Sequence, residues 1–193
     1  MDFFRSFSLL FILSLPSMAQ ELPFSSIPAA AEKYTAGNSI SRMIQGLGFR
    51  YYWATEGLRT EDLVYRPSAE AQSTLETIQH IYGLSKMIVN TAKNEPSTRP
   101  AQESPKTLEE LRNKTLKYLK QASDLLEKRS EIELEELNII FDRGGQQTKF
   151  PVWNLINGPI ADAIYHTGQV VSFRRTSGNP IPKGVNVFLG VKN

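Results

Sequence analysis

Few side chains in this sequence are suited to chemistry. It contains two histidines, His80 and His166, and no cysteine. Asp162 stands four residues before His166, a spacing that puts both on one face of a helix, one turn apart. A carboxylate and an imidazole placed this way can hold one metal ion together. One imidazole from a facing helix would complete a three-ligand set with open coordination positions. The same spacing also suits a plain i,i+4 helix pair, and a histidine at the edge of a core also serves as a hydrogen-bonded packing residue. Gln169, a turn further on, reads either as a hydrogen-bonding partner of a metal-bound water or neighbouring group or as a helix-packing amide. Arg174 and Arg175 can clamp a carboxylate or phosphate or complement a helix dipole. Glu76, one turn before His80, is the candidate acid or base.

Other chemistries find less support. Without cysteine there are no disulfides, thiolate ligands or cysteine nucleophile. Gly144-Gly145 reads as a flexible turn, not a phosphate-binding loop, and no nucleophile-elbow pattern supports Ser-His-Asp catalysis. Twenty-two basic residues against twenty acidic ones leave a net charge of +2, too small a footprint for nucleic acid.

The histidines need helices to carry them, and the hydrophobic spacing supplies four. Ile40, Met43, Ile44, Leu47, Tyr51 and Ala54 predict a first helix, capped by Ser39 or Ser41 and ending near Gly57. Its crowded Arg50, Tyr51, Tyr52 and Trp53 read as core and interface in preference to a pocket lining. Leu75, Ile78, Ile81, Tyr82, Leu84, Ile88 and Val89 predict a second helix over about 73–92, with His80 at the edge of the stripe. The proline-rich stretch 94–106 reads as a loop. Thr107 and Glu110 form a capping box ahead of a third helix with Leu108, Leu111, Thr115, Tyr118, Ala122 and Leu125 along its seam; Glu110 and Lys114 are spaced as an ion pair. The acidic run 131–136 reads as solvated surface, 142–149 as a loop, and Trp153 as core. A short helical turn precedes a last helix from Pro159 to about Thr176, stopped by Gly178-Asn179-Pro180. The tail 181–193 is expected to pack back across the bundle, with a short extended segment. Four long helices with little strand signal make an all-α four-helix bundle, with residues 20–193 as a single domain.

The start of the chain reads as a secretory leader. Arg5 precedes the apolar run Phe7–Leu15, and Ser17-Met18-Ala19 places small residues where a signal peptidase reads. The run is too short to span a bilayer. Cleavage after Ala19 would leave Gln20 first, with no stable membrane insertion and a periplasmic or secreted protein; the alternative is an uncleaved N-terminal anchor. No cysteine follows to carry a lipid.

The stretch Ile164-Tyr165-His166-Thr167-Gly168-Gln169, followed by Arg174-Arg175 and Gly178-Asn179-Pro180, resembles the final helix of the DinB-like (YfiT-like) proteins. So do His80-Ile81 on an earlier helix, Trp53-Ala54-Thr55-Glu56-Gly57-Leu58, and Glu61-Asp62-Leu63. The similarity spans most of residues 20–193, though its sharp motifs are short. It implies a four-helix bundle with a long crossover and a divalent metal held by His80, Asp162 and His166. The family's last helix carries H-x-x-x-H, and Asp162 stands where the first of those histidines falls. Two imidazoles and one carboxylate form a more oxygen-rich set than three histidines, open to zinc, nickel, manganese or iron.

Two functions follow. One is a metal-dependent hydrolase or transferase acting on a small molecule. The other is a non-catalytic bundle that has lost the metal and binds a small molecule or a partner chain, or pairs as a homodimer. Export disfavours a reaction that depends on a reduced small thiol, because such thiols are scarce outside the cytoplasm.

Overall fold

The computed structural model describes residues 21–99 and 105–193; the expected leader, residues 1–19, lies outside them. Four long helices carry the architecture: α1 (Ala36–Thr55), α3 (Thr74–Lys93), α4 (Leu108–Glu127) and α7 (Ala161–Thr176). Short helices α2 (Thr60–Val64), α5 (Glu131–Glu135) and α6 (Trp153–Leu155) lie between them. Helix α1 packs against α4 and α7, and α3 packs against the same two. Helices α1 and α3 therefore face each other across the diagonal, and the linker carrying α2 crosses one end of the bundle. The core is aliphatic, with Ile44, Leu47, Ile78, Ile81, Ile88, Leu111, Leu116, Leu119 and Leu126 wholly buried.

Side-chain caps start these helices. Ser73 and Glu76 form a reciprocal box on α3: the Ser73 hydroxyl accepts from the Glu76 N–H, and the Glu76 carboxylate accepts from the Ser73 N–H. Thr107 and Glu110 do the same for α4. The Glu110 carboxylate is taken up by the N–H groups of Lys106 and Thr107, and no ion pair with Lys114 forms. Helix α1 starts earlier than its sequence suggests, because Thr35 accepts from the Asn38 N–H. Ser41 is no cap; it is buried, with its hydroxyl 2.8 Å from that of Ser123 on α4. Residues ahead of α1 pack onto it: a Cβ at Gly48 would lie 2.4 Å from the Phe24 ring, so that contact requires glycine.

The expectation of loops at 94–106 and 142–149 needs correction. Strand β1 (Pro96–Thr98) pairs in parallel with β2 (Asn138–Arg143), which pairs antiparallel with β3 (Gln146–Pro151). Gly144 and Gly145, at φ of 64° and 91°, make the two-residue turn between β2 and β3, a geometry that favours glycine at both positions. The tail forms the two-stranded ribbon β4 (Val185–Asn186) and β5 (Val191–Lys192). It folds back as expected, with Ile27 N–H donating to Gly190 O and Lys192 lying 5.5 Å from the Trp53 ring. Trp153 is not core: it is 73% exposed, because Leu155 is the residue of α6 that turns inward.

The C-terminal end of α7 is a buried polar lock. Arg174 is 2% exposed. Its Nη1 donates to the carbonyls of Trp53, Ala54 and Glu56 at 3.2, 3.1 and 2.7 Å, and its Nε donates to Asn179 O at 2.8 Å. Three of these carbonyls lie at the C-terminus of α1, where no further helical N–H can reach. Arg174 thus complements the dipole of α1, not its own helix; Arg175 is exposed. Beside it the buried Asp62 accepts from the Arg59 guanidinium, the Ser177 hydroxyl and the Asn179 amide. The Arg59 hydrogen bonds outweigh burial and hold the Asp62 carboxyl well below the usual carboxylate range. Among the described residues no helix is long and apolar enough to cross a membrane.

Candidate metal centre

Helix α7 begins on an irregular turn. Residues 156–160 form one π-type turn in which Gly158 leaves helical geometry (φ −95°, ψ −106°) and Pro159 follows it. Turns of this kind recur at functional sites. This one places Asp162 in the first turn of α7, where the helix dipole favours a carboxylate. His166 and Gln169 follow on the same face. Helix α3 packs against α7 and brings His80 opposite them.

The three side chains converge. Each offers one donor atom, and these atoms all lie within 4.8 Å of one another. His80 Nε2 is 3.1 Å from Asp162 Oδ2, and His166 Nε2 is 3.2 Å from Asp162 Oδ1. Two ligands bound at about 2.0–2.2 Å to one tetrahedral or octahedral centre stand roughly 3.0–3.4 Å apart, so both separations suit a shared ion. The imidazoles meet edge to face, with centroids 4.5 Å apart. The His80 and Asp162 side chains are 40% and 42% exposed and that of His166 17%, which leaves the outer side of the set open to solvent.

Gln169 decides how His166 presents itself. His166 Nδ1 lies 2.7 Å from Gln169 Oε1. That oxygen only accepts, so the ring proton sits on Nδ1. Nε2 of the same ring faces the Asp162 carboxylate. Two imidazoles and one carboxylate so placed could hold a divalent cation, and Gln169 would then take the outer part typical of residues that orient a ligating histidine.

Glu76 does not join the set. It closes the α3 capping box and pairs with Arg66 at 2.9 Å. The Ser73 N–H, then Arg66 and the Ser73 hydroxyl, depress its pKa to about 2, so it has no proton to give near neutrality. The aromatic run on α1 is also elsewhere: Tyr51 is buried in the core, Trp53 Nε1 donates to Ser25 O, and Arg112 covers the Tyr52 ring. Leu84 and Met87, on the helix line of His80, border the centre on an apolar shelf with Pro159, Asp162 and Tyr165, and the sequence reading gave Tyr165 no part in it. It also missed β1, which walls the His80 side. The Gly-Gly step between Ile139-Ile140-Phe141 and Thr148-Lys149-Phe150 was the available sign of the hairpin that positions that wall.

The fold is a four-helix bundle in which two helices share a His/Asp/His set that could hold a metal ion. The DinB family profile matches residues 40–185, and the chain belongs to the DinB family. The crystal structure of a DinB-like protein from Bacillus subtilis superposes with a TM-score of 0.56 at 19% identity, covering 75% of this chain and 96% of that one. At that identity the likeness is one of fold. No curated protein sequence matches the chain.

Proposed function

We propose that this protein is an exported, divalent-metal-dependent hydrolase or transferase of a small molecule, with His80, Asp162 and His166 as its metal ligands. The convergence of the three donors from two facing helices, with their outer side open, carries this reading. Two imidazoles and one carboxylate suit zinc, nickel, manganese or iron. Such a metal, when bound, supplies polarisation of a substrate oxygen and acidification of a bound water.

The rest of the work falls to the chain. Gln169, hydrogen-bonded to Nδ1, orients the His166 ring so that Nε2 faces Asp162. The first turn of α7 places the Asp162 carboxyl group beside both rings. Leu84, Met87, Pro159 and Tyr165 offer an apolar shelf that orients a substrate and keeps water from one side. The leader pattern supports export with cleavage after Ala19, and that setting argues against a reaction that consumes a reduced small thiol.

The test is metal content, measured on wild type and His166→Ala purified without chelator or histidine tag. About one equivalent in wild type, lost in the variant while helical content persists, is the expected result. If neither protein takes up zinc, nickel, manganese or iron(II), the metal reading fails and the chain is a non-catalytic ligand-binding bundle. The mass of the exported protein tests cleavage after Ala19.

A further inference from the structure

Beside the triad, on the His80 side, a small cleft opens between α3 and β1. Its volume is about 210 Å³, and it is lined by His80, Gly83, Lys86, Asn90, Ser97 and Arg99 among others. That is less than the roughly 300–1,000 Å³ of a pocket that encloses a whole ligand, so it suits one end of a molecule. Among the described residues two cations line it and no carboxylate does. Tyr82, also in the lining, adds no negative charge, because burial and the neighbouring Tyr118 push its hydroxyl up to about 12.

The wall is held in place. Asn90 Nδ2 donates to Ser97 Oγ at 3.2 Å and to Pro96 O at 3.4 Å, tying β1 to α3. The Arg99 N–H donates to Asp142 O at 2.7 Å, which fixes the residue after β1 to β2. The Arg99 guanidinium lies 6.0 Å from the Phe141 ring centroid, within cation–π range.

Leu84 and Met87 line both this cleft and the apolar shelf on the Asp162 side. The triad therefore sits where a cationic cleft meets an apolar shelf. Lys86 follows His80 by six residues, about 9 Å along the helix axis.

We propose that the cleft is a head-group subsite in which Lys86 and Arg99 bind an oxyanion, a carboxylate or a phosphate, of an amphiphilic substrate. The body of that substrate lies on the Leu84/Met87 shelf. Guanidinium and ammonium donors make short, charge-assisted bonds to either group. That the reacting group lies over the triad rests on the metal reading above; the anion subsite itself does not.

The experiment is a ¹⁵N NMR titration of the full chain with hexanoate, hexyl phosphate and hexan-1-ol, with zinc and again with EDTA, at constant ionic strength. At least one anion is expected to shift the amides of residues 83–90 and 96–99 in both conditions. Its affinity should fall at least tenfold in Lys86→Gln/Arg99→Gln and persist in Lys86→Arg. The tighter anion identifies the head group. Equal shifts with hexan-1-ol, unchanged affinity in the double variant, or binding lost with EDTA would each overturn the subsite. Zinc uptake by the same proteins is read separately, so a chain that binds the anion but no zinc keeps the subsite and loses the metal reading.

Discussion

Helix α7 carries polar groups at both ends, and the two ends are built on opposite terms. At its C-terminal end Arg174 and the adjoining Asp62 are buried, and they hydrogen-bond to the α1 carbonyls, Arg59, Ser177 and Asn179. At its N-terminal end Asp162 and His166 stand in a half-open cleft, with Nε2 3.2 Å from Oδ1. The first arrangement is tied to the chain's own backbone. The second presents, with His80, donor atoms that could hold a metal ion. The contrast sets a closed polar cluster against an open one on a single helix, and it predicts that damage at one end spares the other.

The largest effect should come from the closed end. Arg174→Met leaves the last carbonyls of α1 without partners and removes one side of a buried charged network. A loss of about 3–5 kcal/mol is expected, read by urea denaturation, with metal content per folded molecule unchanged.

Acid probes the same end more gently. Asp62 has a depressed folded-state pKa, so its contribution is fully present above the unfolded value near 4. It is lost progressively as pH falls below that value. Stability should therefore drop below about pH 4. Glu76 acts in the same direction, so Asp62→Asn should make the acid slope shallower without abolishing it, and should lower stability at pH 7.

At the open end, Gln169→Leu removes the acceptor that fixes the His166 tautomer. Metal affinity should fall about 10–100-fold with little change in thermal unfolding of the metal-free protein. Competition with a chromogenic chelator measures the first effect and circular dichroism the second. Trp153→Ala should do least, about 0.5 kcal/mol or less, as for an exposed side chain; a loss above 2 kcal/mol would place Trp153 in the core after all.

The sequence announced the helices because their signals are local. The Thr107/Glu110 box and the apolar spacing of 78, 81 and 88 lie within one turn or two of the structure they specify. Asp162, His166 and Gln169 were legible for the same reason, one face of one helix. That His80 faces them follows from packing between helices far apart in sequence, and only a family resemblance pointed to it. The sheet was obscure because β3 is exposed along its whole length and shows no apolar alternation, while β1 has only three residues in a proline-rich stretch. The role of Arg174 was hidden because its acceptors are backbone atoms, which carry no residue-type signal, some 120 positions upstream.

That separation also sets a timetable for synthesis. The α1 carbonyls at 53–56 leave the ribosome 118–121 residues before the guanidinium that covers them. At about 5–20 residues per second, the delay is roughly 6–24 s. Throughout it the end of α1 can satisfy its carbonyls only with water, so any chain that stops short of residue 174 stays frayed there. Completion of the last helix is the event that turns the first into a finished element, and an unfinished chain exposes its incompleteness to proteases at the far end of the molecule.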